Sequence, residues 1–132
     1  MWRIIARRDD DGAAAVEFAL VLPILVLLLG GIVQFGYLYN QRLQVEHAAR
    51  EGVRWASLRN TAASVEDHAI QSAPGIDLTG EVTIDPPDPT TALPDEVATV
   101  IVRHKAEVFL PFMELFLGTE VSIDATAVQR IE

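Results

Sequence analysis

From Phe18 to Val33 the chain runs 16 residues without a charged side chain, and nothing else in it constrains the fold as strongly. Gln34 through Tyr39 adds a mixed interfacial stretch. As an α-helix, Phe18 to Tyr39 reaches roughly 33 Å at ~1.5 Å per residue, enough for a hydrocarbon core of about 30 Å. The run therefore reads as a transmembrane helix, with Tyr37 and Tyr39 on one side and Trp2 on the other as interfacial anchors. A removable secretory signal would have a shorter apolar region followed by an Ala-x-Ala site, and neither is present. Arg7-Arg8 does not make a twin-arginine signal, because Asp9-Asp10-Asp11 follows at once. Arg3, Arg7 and Arg8 precede the run, which predicts that the N-terminus stays in the cytoplasm and the rest is exported; Arg42, Arg50, Arg54 and Arg59 beyond it weaken that bias.

A carboxylate, Glu17, stands at the mouth of this run. An ionisable side chain there is costly, on the order of 2.5–3.5 kcal/mol if it lies centrally, so it signals a partner charge or a function. Its bland reading is a hydrated glutamate at the membrane surface. The sequence itself offers a partner: a cut after Gly12 would free an α-ammonium at Ala13, within one or two helical turns of Glu17 or of Glu17 on a neighbouring copy. Gly12, without a side chain, would let a peptidase bind the backbone in extended form.

Gly12, then Ala13-Ala14-Ala15-Val16-Glu17-Phe18 and Ala19-Leu20-Val21-Leu22-Pro23, resembles the processing site and membrane segment of TadE-like pseudopilins of the tight-adherence (Tad, Flp-type) pilus system. The resemblance continues through Gln34-Phe35-Gly36 to His47-Ala48-Ala49-Arg50-Glu51-Gly52-Val53-Arg54. It implies a minor pilin cleaved between Gly12 and Ala13 by an inner-membrane prepilin peptidase, with Glu17 as the charge used in subunit assembly and Phe18 and Pro23 as part of the membrane-helix motif. It further implies as partners other Tad pilins or pseudopilins and the inner-membrane assembly platform, in an adhesive pilus.

Composition limits the alternatives. A chain of 132 residues leaves room for one modest head once the membrane segment is subtracted. The net charge is −9, of which residues 40–132 contribute −8, from 7 basic and 15 acidic side chains. Such a head repels nucleic acid and anionic lipid, so the lipid contact expected is the apolar one of the span. Cysteine is absent, which excludes disulfides, thiolate metal sites and a cysteine nucleophile.

Along the chain, residues 1–12 read as a charged cytoplasmic leader, 13–39 as the transmembrane helix, 40–60 as its extracytoplasmic continuation, and 61–132 as a small α+β head. Pro23 and Gly30-Gly31 lie inside the span and either pack helices or serve extraction. Beyond the membrane, Leu38, Val45, Ala48, Ala49, Gly52, Val53 and Ala56 recur at spacings of three and four, a narrow stripe of small and apolar residues on a helix carried to about Leu58. Glu46 and Arg50 form an attractive i,i+4 pair, Arg50 and Arg54 a repulsive one.

Ser64, with Asp67 three residues on, predicts the cap of a short helix that ends at Ala73-Pro74-Gly75. Glu81–Asp85 alternates as a strand, and the proline-rich 85–95 stretch reads as a rigid acidic loop. Val97–Val108 and Val121–Arg130 alternate again. Together they predict a small antiparallel sheet of about three strands with one face on the helix stripe, so the fold class is α+β: a long spine helix and a minimal head. Between the long strands, residues 108–117 are apolar but too short to span. They read as a core-covering turn or short helix, or more sharply as a contact with the membrane surface or another subunit.

No catalytic set assembles from these elements. His47, His68 and His104 fall on three different elements, and His47 with Glu51 is at most half a metal site. Glu66-Asp67-His68 reads as the charged first turn of a helix. Asp85, Asp88, Asp95 and Glu96 lack EF-hand spacing, which leaves only loose calcium binding open for that loop. No enzyme activity, cofactor or resident metal is expected. The rival class is an uncleaved single-pass protein whose acidic head binds a ligand or partner outside the membrane.

Overall fold

The computed structural model describes residues 8–132, with side-chain surroundings from Gly12 onward. Trp2, Arg3 and Arg7, which carry the inner anchor and most of the orientation, lie outside the described residues.

Helix α1 spans Arg8–Ser57. It begins before Gly12 instead of at Ala13, so the last part of the leader is already helical. Glycine within a helix costs only about 1 kcal/mol relative to alanine, and Ala13-Ala14-Ala15 supplies the best helix former three times over, so the helix passes through. Pro23 lies inside it without ending it. The C-terminal limit falls one residue from the expected one, at a turn where Arg59 adopts φ 58° and its N–H donates to the Ala56 carbonyl.

In the second half of α1 the predicted stripe faces inward. Val45, Ala48, Ala49, Gly52, Val53 and Ala56 are buried and Leu38 is half-buried. The small residues set how closely the other elements approach. A Cβ placed on Gly52 would lie 3.1 Å from Val100 Cγ1 and 3.2 Å from Ala69 Cβ, so three elements meet at a point where any side chain would make its neighbours give by a few tenths of an ångström.

The second helix, α2, spans Ala62–Gln71 and packs Val65 and Ala69 into the core. Its cap is Thr61, not Ser64: Thr61 Oγ1 accepts from Ser64 N–H at 3.3 Å. Ser64 sits within the first turn, and its hydroxyl accepts from Trp55 Nε1–H at 2.9 Å, a partner on the end of α1. Glu66-Asp67-His68 consequently falls in the middle of α2 and not in its first turn.

Three strands, β1 (Val82–Asp85), β2 (Val97–Glu107) and β3 (Glu120–Arg130), form one antiparallel sheet in the order β1-β2-β3. The register pairs Val82 with Val102, Val97 with Arg130 and Glu107 with Glu120. Ala98, Val100, Val102 and Ala106, one alternating set of β2, are buried against the α1 stripe. Each buried valine there is worth roughly 1.5–3 kcal/mol of transfer free energy. The acidic loop contains one 3-10 turn, Pro89–Thr91, where Asp88 Oδ1 accepts from Thr90 N–H at 3.1 Å.

The apolar link between β2 and β3 forms a short helix, α3 (Pro111–Leu117), but it covers no core: none of its residues is buried. The core is already closed by α1, α2 and the sheet, so α3 projects beyond the end of the sheet where Glu107 and Glu120 pair.

Candidate functional site

Gly12, Ala13, Glu17, Phe18 and Pro23 all lie on the first half of α1, and every residue from Gly12 to Leu29 is exposed. Ala13 and Glu17 are i,i+4 neighbours on one helical face. Cα–Cβ bonds in a helix tilt toward its N-terminus, so the Glu17 arm leans back toward Ala13. Around Gly12 nothing lies within 4 Å of where a Cβ would be, which leaves the backbone open to approach from outside. The 12–13 bond itself lies within α1. Pro23 has no N–H to give the Ala19 carbonyl, so that acceptor is left for a neighbouring group.

Sequence reasoning missed the residue that ties the span to the head. Gln34 is fully buried; its Nε2 donates to the Glu107 carbonyl at 3.4 Å, and its Oε1 accepts from Phe109 N–H at 3.2 Å. One side chain thus satisfies both backbone groups where β2 leaves the sheet. The available signal was the phase of the stripe: Gln34, Leu38, Gln41 and Val45 continue its spacing of three and four toward the membrane. Just beside this clamp Tyr37 and Phe109 meet edge to face at 5.6 Å. One turn below, a Cβ on Gly30 would lie 2.8 Å from Phe112 Cζ and 3.3 Å from Leu110 Cδ1.

The head's ionisable residues are engaged locally. Glu46 accepts from Arg42 Nε at 2.9 Å and lies 3.6 Å from Arg50, the pair expected from the sequence. The Arg42 hydrogen bond holds the Glu46 carboxyl below the usual carboxylate range. His68 stacks on Trp55 at 4.5 Å and faces Glu51 at 3.8 Å, whereas His47 lies exposed on α1 and His104 on β2. In the acidic loop, Glu96 accepts from Leu93 N–H, and Asp95 lies 3.4 Å from Arg130. Among the described residues no three His, Asp or Glu side chains are grouped to hold a metal.

A single apolar helix, bare over its first half and clad by a small α+β head over its second, defines a membrane protein with a spine helix. Among the described residues this is the one helix long and apolar enough to cross a bilayer. The family model described as TadE-like protein matches residues 12–54, from the glycine at the expected cut to the end of the stripe's basic face. Residues 12–54 thus form a TadE-like segment, and that segment carries the apolar helix. Residues 55–132 lie outside the match. No curated protein and no solved structure matches the chain.

Proposed function

We propose that this chain is a TadE-like pseudopilin, or minor pilin, cut after Gly12 by a prepilin peptidase and used in assembling a Tad pilus for surface adhesion. It is a substrate and a structural part, not an enzyme, and it sits in the bacterial inner membrane with its N-terminus in the cytoplasm and its head outside. The observation that carries this reading is the placement of Ala13 and Glu17 on one bare helical face, with the carboxylate leaning toward the amine that a cut would free. A carboxylate left alone in the apolar layer would cost several kcal/mol or become protonated. The freed ammonium, of the same subunit or of an adjacent one, supplies the counter-charge. Other pilins and the assembly platform are the partners of the exposed span.

Processing then includes a local step. Since α1 runs through Gly12, the peptidase opens about one helical turn before it can bind the bond, and glycine lowers the cost of that opening. Gly12→Leu should raise that cost and fill the open approach at once. The mass and N-terminal sequence of protein accumulated in cells that contain the peptidase decide the matter: wild type begins at Ala13 and the variant remains full length. Equal shortening of both would put the cut elsewhere. The uncleaved anchor keeps one observation in its favour, the unbroken helix across residues 12 and 13, and Met1 at the N-terminus of wild type would establish it.

A further inference from the structure

We infer that α3 is a second membrane-embedded element, an interfacial helix whose apolar face is covered by lipid acyl chains beside the outer part of α1. The inference rests on the spanning role of α1 but not on any cleavage.

The first step is depth. A hydrocarbon core of about 30 Å that begins at Phe18 ends near Leu38, so Gly30, which Phe112 and Leu110 touch, lies about 12 Å below that boundary. The head cannot lift away from this level, because Gln34 fastens the end of β2 to α1 only one turn above. Phe109 meanwhile meets Tyr37, a residue of the interfacial stretch.

The second step is exposure. Leu115 is 83% exposed, Phe116 80% and Phe109 50%, whereas Val65, Leu78, Val100, Val102 and Ile131 are buried in the head's core. Phe112 and Leu110 lie against Gly30 of α1, next to the bare side chains of the span, so the apolar surface of the span continues onto α3.

The third step is sidedness. At 100° per residue, Phe112, Leu115 and Phe116 share one face of α3, while Glu114 lies roughly 200° around from Phe112. Glu114 is the only ionisable side chain from Val108 to Thr119. A helix with this division sets its apolar face among the acyl chains and its carboxylate toward the headgroups. The head's net charge repels anionic lipid, so the contact is with acyl chains and not with headgroup charge.

The chain has no cysteine, so single labels can be placed without side reactions. The full chain carrying Leu115→Cys or Phe116→Cys with an environment-sensitive fluorophore is reconstituted in phosphatidylcholine vesicles. It is compared with Leu25→Cys in mid-span and Leu93→Cys on the exposed head. Labels at 115 and 116 should lose emission to doxyl lipid, as at 25, and resist aqueous iodide, which should quench 93. Iodide quenching at 115 and 116 with lipid quenching retained at 25 would overturn the inference. So would shielding of 115 and 116 from both quenchers, which would place another protein surface, such as a second copy, on α3. Iodide quenching at 25 would overturn the spanning helix, and this inference with it.

Discussion

The two halves of α1 have the same secondary structure and opposite fates. From Gly12 to Leu29 every residue is exposed and, Glu17 apart, none is charged; from Gln34 to Ser57 only one stripe is inward, and the sheet and α2 cover it. What separates them is the width of the apolar surface and the size of its residues. Large residues on every side need a solvent that is itself apolar or a ring of other helices, whereas a narrow stripe of alanine, glycine and valine accepts one closely packed sheet. The first half is thus built for partners outside the chain and the second for the chain's own head. Gln34 marks the changeover.

The second half of α1 is the more sensitive of the two to a single substitution. Val100→Asp places an unpaired carboxylate against Gly52 and Ala69, where burial of a charge costs several kcal/mol. Set against a typical domain stability of about 5–15 kcal/mol, this should unfold the head while the span still inserts. The expected readout is rapid proteolysis of residues beyond 58 with the protein still in the membrane fraction. A protease-resistant head would show that the stripe is not its core.

A smaller effect belongs to the changeover itself. Gln34→Leu keeps the volume but leaves the Glu107 carbonyl and the Phe109 N–H without partners, a loss of about 1–3 kcal/mol in the head's unfolding free energy. Denaturant titration in detergent, followed by the fluorescence of Trp55 where it stacks on His68, measures it. An unchanged midpoint would mean that the clamp does not join the two regions.

The smallest effect is on the outward face. Glu46→Gln removes the exposed pairs with Arg42 and Arg50. Because the folded-state pKa of Glu46 is depressed, its contribution is present above the unfolded value and is lost as pH falls through the folded one. Wild type and variant should therefore differ slightly near neutral pH and coincide once the carboxylate is protonated. A difference that grew toward acid would reverse the sign.

The sequence made the fold legible wherever a period repeats. Val97–Val108 alternates and became β2; the three-and-four stripe became the core face of α1. Contacts between residues far apart were not legible. Gln34 bonds to Glu107 and Phe109, more than 70 positions away, and no local pattern reveals that a glutamine will be buried. The same holds for Trp55 and Ser64, whose bond accompanies a helix start earlier than the expected Ser64 cap. For α3 the composition indicated an apolar helix, but whether it closes the core depends on whether other elements have already done so. At the candidate site, residue order showed Gly12, Ala13, Glu17, Phe18 and Pro23, while the helix running through Gly12 emerged only in three dimensions.

The central claim is that the charge of Glu17 serves assembly and not insertion or cutting. Glu17→Gln keeps the size and polarity of the side chain and removes only the charge, so a freed Ala13 ammonium would lack its partner where water is scarce. The measurement is pilus yield in cells carrying only this variant, paired with the N-terminal sequence of the membrane-bound protein. The account predicts protein that begins at Ala13 and cells without pili. Normal pilus yield from the same cells would contradict it.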